Sequence, residues 1–515
     1  MKKDTKTILE RGTRPGVALI GKSLIVGIAA GLVTLLYRLA LSYADTWLKQ
    51  LIAFFGQSLP GIIGWFLILI AMGLIVGRLV AWEPLISGSG IPQLEGEMIG
   101  RLNPSWWRVL SAKFVGGFLC LLGGLSLGRE GPSIQLGAMA GKGVSKAMKS
   151  DKTEEKVLLT CGASAGLAAA FHAPLAGVMF SLEEVHKNFS ANILVCAMTA
   201  AITADFISSQ VFGTDSVFQL GVTEALPQRY YWALIVLGIL LGAMGALYNK
   251  VILAAQSLYK KVPGPAWIRV VIPFVAAGFV AFLAPELLGS GHALVDEMVE
   301  GNFVVTTLIL LFIGKLLYSA VCFGSGAPGG IFFPLLVLGS LLGCIFGTVF
   351  CQAFGLEMTF ISNFILLAMA GYFTAIVRAP LTGIVLIFEM TGSVSQLLSL
   401  ALVSLAAYIT ANALRSQPIY ESLLERLLAG RGQAMAESGE KILAEFAISL
   451  GSTLDELHVR DARLPEECLL VTVRRGGEEI LPKGNTQLMG GDVLVVLLEP
   501  SREAEVYEQM KNLCE

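Results

Sequence analysis

The chain has 515 residues, 55% of them hydrophobic and 15% charged, and its mean hydropathy is +0.71. That composition excludes an ordinary water-soluble globular protein and describes a chain that crosses a membrane many times. The net charge of −2 hides an asymmetry: residues before Arg431 carry +5, and those from Arg431 onward carry −7 at the charge density of a soluble domain.

Residues 1–15 hold Lys2, Lys3, Lys6, Arg11 and Arg14, a basic flank expected on the cytoplasmic side rather than a cleavable leader. Apolar segments follow at 16–41, 62–82, 109–127, 157–182, 191–212, 231–259, 268–288, 303–323, 331–355, 361–378, 380–390 and 397–414. Several fall short of the roughly 20 residues needed to span, and many are cut by Gly or Pro. Broken helices are tolerated in a bilayer only where the freed backbone faces protein or a wet cavity. The pattern points to a transporter or a channel. Six of the eight cysteines lie in apolar runs, none forms Cys-x-x-Cys, and there are four histidines. Structural thiols are expected, with no disulfide, metal centre or cofactor.

Three Gly/Pro stretches punctuate the apolar text. The first reads Ser87-Gly-Ser89-Gly-Ile-Pro92, followed by Gln93-Leu-Glu95-Gly96. It is either a plain interhelical loop or a place where the Ser89 hydroxyl meets a closely approaching group. The second, Gly128-Arg-Glu-Gly-Pro132, puts two charges between two membrane-length segments, with proline where a helix would begin. A helix N-terminus offers free N–H groups and partial positive charge, so it can hold an anion, and Glu130 is placed to compete for that position. The third is Gly324-Ser-Gly-Ala-Pro328. Lys113 and Arg129 either raise the local anion concentration or pair with acids such as Glu95 or Glu130; structural and electrostatic roles are preferred. His186 either tunes proton access to the adjacent acids or lies at the surface near Lys187, the latter preferred.

The chain also repeats itself. Ala173-Pro-Leu-Ala-Gly-Val-Met-Phe-Ser-Leu-Glu183 matches Ala379-Pro-Leu-Thr-Gly-Ile-Val-Leu-Ile-Phe-Glu389 without a gap. Upstream of these copies the natural match sets Gly128–Pro132 against Gly324–Pro328. Two related halves, roughly 16–220 and 230–420, are implied, with a substrate expected between them on half-helix N-termini. Glu183 and Glu389 correspond, so both are candidates for the same structural contact. Glu184 faces Met390 and Glu130 faces Gly326 in this register. The acids that break the symmetry are therefore the better functional candidates.

Gly88-Ser-Gly-Ile-Pro92, Gly128-Arg-Glu-Gly-Pro132 and Gly324-Ser-Gly-Ala-Pro-Gly-Gly-Ile-Phe332, in this order, resemble the three anion-site signatures of the CLC family of chloride channels and proton/chloride antiporters. The resemblance covers about 16–425. It implies an all-α polytopic membrane fold with inverted repeats and broken helices. It also implies an anion held by the hydroxyls of Ser89 and Tyr420 (in Gln417-Pro-Ile-Tyr420) and by the backbone N–H groups of Ile331 and Phe332. Glu130 would be the gating glutamate. Glu184, the second of two adjacent acids after Ala-Pro-Leu, would relay protons, which favours an antiporter over a passive voltage- or pH-gated channel. Fluoride-exporting members lack the serine-bearing motif, so Ser89 implies chloride. A homodimer in the inner (plasma) membrane with both termini cytoplasmic is implied, with no enzyme chemistry and no nucleic-acid partner. Neutral dipoles suit this task, because full positive charges would hold the ion too tightly for turnover.

Beyond a linker at 426–440, residues 441–515 read as a small α/β cytoplasmic domain. Strands are expected at 468–473, 479–481 and 492–498, a turn at Gly476-Gly477 and a closing helix at 501–514. Gly451-x-x-Leu454-x-Glu456-Leu457, Pro482-x-Gly484-x-Thr486 and Gly491-Asp492 resemble the TrkA-C (RCK-C) module, which implies dimerisation or a small regulatory ligand.

Overall fold

The computed structural model describes residues 17–187, 189–214, 218, 226–300, 303–392, 394–438, 442–449, 451–466, 468–475, 478–498 and 503–514. The basic flank at 1–15 and the Gly476-Gly477 turn lie outside the described residues. Those described fall into two compact units. One runs to Leu94 and from Pro104 to Glu421; the other holds Glu95 to Asn103 and the chain from Ser422 onward.

The first half of the membrane part comprises α1 (Val17–Phe55), α2 (Leu59–Trp82), α3 (Ile91–Met98), α4 (Trp106–Leu122), α5 (Glu130–Ala147), α6 (Lys152–Phe171), α7 (Pro174–Phe180) and α8 (Ala191–Phe212). The second comprises α9 (Tyr231–Lys261), α10 (Ala266–Arg269), α11 (Val271–Leu283), α12 (His292–Glu300), α13 (Val305–Gly324), α14 (Phe332–Phe354), α15 (Ile361–Val377), α16 (Pro380–Thr391) and α17 (Leu397–Ala413). α18 (Ile419–Ser438) leads out of it, through most of the stretch read as a linker. Among the described residues, seven helices are long and apolar enough to cross a membrane. α14 and α15 are mostly buried, whereas α1, α2, α8, α9 and α13 expose apolar side chains such as Leu36, Leu67, Ile202, Ile239 and Leu310. The chain is a multi-pass membrane protein whose most buried helices pack among helices with exposed apolar faces.

The apolar run at 157–182 is not one helix. His172 takes a left-handed conformation (φ 54°) and closes α6, and Pro174 opens α7. Proline lacks the N–H that would continue the ladder, so it suits a start. Conversely, α1 runs on to Phe55, beyond the end expected at 41.

The structure corrects the register of the upstream repeat. Gly128 pairs with Gly330 through an antiparallel bridge, α5 starts at Glu130 and α14 at Phe332, and Pro132 and Pro334 occupy the same place in their helices. Gly128–Pro132 therefore corresponds to Gly330–Pro334. The residue opposite Glu130 is Phe332, not Gly326. Gly326 is instead the partner of Gly124, with φ of +81° and +80°. A match on Gly324–Pro328 fails because Gly324 ends α13 and Pro328 lies in a loop, so neither begins a helix. Glu130 still has no acidic counterpart.

The second unit has its own core, which includes Phe446, Leu454, Val473, Leu494, Val496, Val506 and Met510. Its strands are β1 (Ile442–Ala447), β2 (Cys468–Arg475), β3 (Glu478–Ile480) and β4 (Val493–Leu498), closed by α19 (Glu503–Cys514). All neighbours in the order β1-β4-β2-β3 are antiparallel. β1 is absent from the strands expected on sequence: it acquires strand character by pairing with β4, Ala444 opposite Val496.

Candidate functional site

The three Gly/Pro stretches meet. The third is the hub. Gly329 N–H donates to Gly88 C=O (2.9 Å), and the Ser87 hydroxyl donates to Gly326 C=O (2.9 Å). On its other side Gly128 and Gly330 exchange both backbone hydrogen bonds, at 2.7 and 2.8 Å. Gly88 and Gly90 have φ of +65° and +94°, which L side chains rarely adopt. Their loop turns sharply enough to bring Ser89 against the first turn of α5. A methyl on Gly131 would stand 2.8 Å from the Ser89 carbonyl oxygen and 2.9 Å from its Cβ.

The bridge between Gly128 and Gly330 has an electrostatic consequence. α5 and α14 begin two residues beyond it, so two helix N-termini with unsatisfied N–H groups converge on one buried place. Glu130 is the first residue of α5 and fully buried. Its carboxylate faces the amides of Glu130 itself and of Phe333, yet among the described residues neither oxygen makes a hydrogen bond of regular geometry. Arg129 Nε is 3.9 Å from Oε1, too long for one. Ile331 caps α14 and Phe332 opens it, both buried. The Phe332 ring lies 6.0 Å from Phe180, which is edge-on to Tyr420 at 6.4 Å. Tyr420 is fully buried near the start of α18. Ser89, Glu130, Ile331 and Phe332 are thus brought together directly, and Tyr420 reaches the group through Phe180.

Glu184 stands on a different element. After α7 the chain makes a single π turn, Ser181–Val185, closed by His186 N–H to Ser181 C=O (2.7 Å). Such a turn inserts one residue and rotates the chain beyond it, a device common at functional sites. It leaves Glu184 buried and Glu183 partly exposed. The Glu183 carboxylate accepts from the Thr382 N–H and hydroxyl (both 2.8 Å) at the start of α16. Glu389, at the far end of α16, accepts from Leu175 N–H (3.0 Å) and Ala176 N–H (2.7 Å) at the start of α7. Each repeat's glutamate caps the other repeat's helix.

Lys113 does not pair with Glu95 or Glu130. It is fully buried and donates to Ile86 C=O (2.8 Å) and Gly88 C=O (2.6 Å), clamping the Ser89 loop. His186 is half-buried and bonded to Thr160 Oγ1 (3.0 Å) rather than lying free at the surface, and His172 Nδ1 meets Asp205 Oδ1 (2.9 Å). The site's frame also holds a second copy of the first loop, Gly289-Ser-Gly291, which the motif reading missed. Its glycines have φ of +60° and +94°, and Lys315 donates to Leu287 and Gly289 C=O, both at 2.9 Å. The signal was present in Pro84-x-x-x-Gly-Ser-Gly90 against Pro285-x-x-x-Gly-Ser-Gly291.

Comparison with known proteins agrees with this geometry. The sequence profile of the family described as voltage gated chloride channel matches residues 68–412. The chain belongs to this CLC family. The H(+)/Cl(-) exchange transporter ClcA of Vibrio parahaemolyticus serotype O3:K6 is 38% identical over 436 residues, covering 82% of this chain and 92% of the relative. The protein of the same name from Klebsiella pneumoniae is 33% identical over 458 residues, covering 85% and 94%. Among solved structures, a slow cyanobacterial Cl-/H+ antiporter superposes with a TM-score of 0.76 at 32% identity, covering 80% of this chain and 98% of that one. A CLC-type fluoride/proton antiporter shares the fold, with a TM-score of 0.65 at 24% identity, covering 78% and 97%. The TrkA-C domain profile matches residues 443–511.

Proposed function

We propose that this CLC protein is a secondary transporter exchanging chloride for protons across a membrane. The observation that carries the reading is Glu130: a fully buried carboxylate, without a counterpart in the other repeat, at the meeting point of two helix N-termini. An anion there is stabilised by the dipoles and free amides of α5 and α14. Ser89 and Tyr420 supply hydroxyls, and Ile331 and Phe332 supply N–H groups, so a chloride exchanges its water shell for neutral donors. Charged Glu130 occupies the anion's place. Once protonated it no longer competes, and chloride takes the place it leaves. Each proton bound at Glu130 is thereby tied to chloride movement. Glu184, buried on the π turn, passes protons between Glu130 and the cytoplasm.

The named relatives are exchangers, and this chain has an acid at both positions, Glu130 and Glu184, which supports exchange over a passive channel on the same fold. The chain works as a homodimer in the inner (plasma) membrane, with both termini cytoplasmic and no cofactor. Residues 16–425 form the transport domain, 426–440 the linker and 441–515 a regulatory domain that binds a small ligand.

Proteoliposomes loaded with high chloride, diluted into low chloride and clamped at zero potential, test the reading. Chloride leaving draws protons in, so external pH rises with the wild-type protein and stays flat with Glu130→Ala or Glu184→Ala. Chloride flux without any pH change in the wild type would make the protein a channel.

A further inference from the structure

Tyr37, in the middle of α1, is fully buried. Its ring is edge-on to Phe114 of α4 (5.2 Å between centroids) and packs with Leu41 and with Leu136 of α5. Its hydroxyl lies directly over the Cα of Gly117, so closely that a methyl there would overlap the oxygen. The oxygen is buried and makes no hydrogen bond among the described residues. A buried tyrosine hydroxyl normally has a partner, and leaving one unpaired is unfavourable enough to call for an explanation. The titratable and charged groups near enough to act on it electrostatically are Cys120 on α4 and Glu130 and Arg129 at the start of α5. Cys120 offers only a weak donor and acceptor, and Arg129 only donors. The Glu130 carboxyl is likewise buried without a regular hydrogen bond. Two unsatisfied buried oxygen groups therefore lie near one another, one on α1 and one at the start of α5.

We propose that Tyr37 is a positioning residue for Glu130: its hydroxyl receives the carboxyl when that side chain, carrying a proton, leaves the helix N-termini. The inference rests on the reading of Glu130 as the mobile, proton-carrying group. A neutral carboxyl has one O–H donor and a carbonyl acceptor, and a phenol has one donor and two acceptor positions, so the pair satisfies both groups without net charge. The charged carboxylate gains less there, because the dipoles of α5 and α14 draw it back. Gly117 is required because only a residue without Cβ leaves room for the hydroxyl.

Tyr37→Phe keeps the ring and its packing and removes only the oxygen. In the proteoliposome assay, coupled proton uptake is expected to fall about tenfold, the weight of one hydrogen bond at its upper range. Its pH profile should move about one unit toward acid, because losing a contact made only by the protonated form makes protonation harder. Gly117→Ala should reproduce that loss by displacing the hydroxyl, and add nothing in a Tyr37→Phe background. Chloride flux in a Glu130→Ala background, where no side chain is left for the hydroxyl to receive, should not respond to Tyr37→Phe. A wild-type pH profile and coupling in Tyr37→Phe would overturn the proposal. So would a loss of chloride flux on adding Tyr37→Phe to Glu130→Ala, since that would mark a packing role alone. Proton movement persisting in Glu130→Ala itself would instead remove the reading of Glu130, and the proposal with it.

Discussion

A lysine ammonium at the centre of an apolar protein looks like an ion ligand, yet Lys113 spends its hydrogen bonds on the carbonyls of Ile86 and Gly88. Those carbonyls belong to a loop whose N–H and C=O groups cannot follow a helical ladder, and a buried carbonyl without a donor costs about 1–3 kcal/mol. Lys315 performs the same service for Leu287 and Gly289. Lys113→Met should therefore lower the unfolding temperature of the purified protein, with a cost of about 2 kcal/mol, and weaken chloride binding by loosening Ser89. Calorimetric titration with chloride beside a thermal melt checks both; unchanged affinity would separate the clamp from the anion site. Sequence alone left Lys113 open between an ion partner and a structural cation, because a carbonyl acceptor leaves no mark in residue identity. Glu130 was legible, because a carboxylate between glycines at the border of two apolar runs has few structural reasons to be there.

Helices α7 and α16 are short, and each begins at a proline in a place where water is scarce. Their first N–H groups need acceptors, and the acceptors come from the opposite repeat: Glu389 for α7 and Glu183 for α16. This arrangement explains why these two acids correspond while Glu184 and Met390 do not. Replacing Glu389 by Ala should cost about 1 kcal/mol, the usual weight of an N-terminal cap. The exchange ratio should stay as in the wild type, because Glu389 spends its two hydrogen bonds on backbone N–H groups of α7. A thermal melt together with the pH assay reads both quantities, and lost coupling would assign Glu389 a transport role. The repeat was visible in sequence, but its upstream register was not. Two Gly/Pro strings stood close together in the second half, and only the bridge between Gly128 and Gly330 decides which of them begins the matching helix.

At the scale of the whole molecule, the apolar-to-charged change near residue 430 separates two kinds of stability. The membrane unit packs helices that lipid surrounds, whereas the second unit buries a water-soluble core under a four-stranded sheet. In the latter, Arg475 grips Asp492 with two hydrogen bonds (2.7 and 2.6 Å), which holds the end of β2 to the start of β4. Asp455 accepts from the N–H groups of Gly451 (2.8 Å) and Gly490 (2.7 Å), and these bonds hold its carboxyl below the ordinary aspartate range. A depressed carboxylate contributes stability that is present above its unfolded pKa, about 3.9, and lost as pH falls through the lower folded value. Protease resistance of residues 442–514 in the full chain should therefore decline on acidification below about pH 4. Asp455→Ala should remove that component and lower resistance at neutral pH; a variant as resistant as the wild type at both pH values would show that these bonds contribute nothing.

Local text settled the class of this protein. Long apolar runs can only be satisfied in a bilayer, glycine and proline mark where helices stop and start, and an acid at such a break stands out against apolar surroundings. The three motifs and the two acids were therefore readable residue by residue. The tertiary structure alone decided how they combine: the convergence of α5 and α14, the lysine clamps, the exchanged caps of Glu183 and Glu389, and the seat of the Tyr37 hydroxyl over Gly117. Each depends on backbone groups or side chains far apart in the chain. A backbone N–H or carbonyl is the same in every residue but proline, so the sequence carries no sign of which one a buried side chain will find.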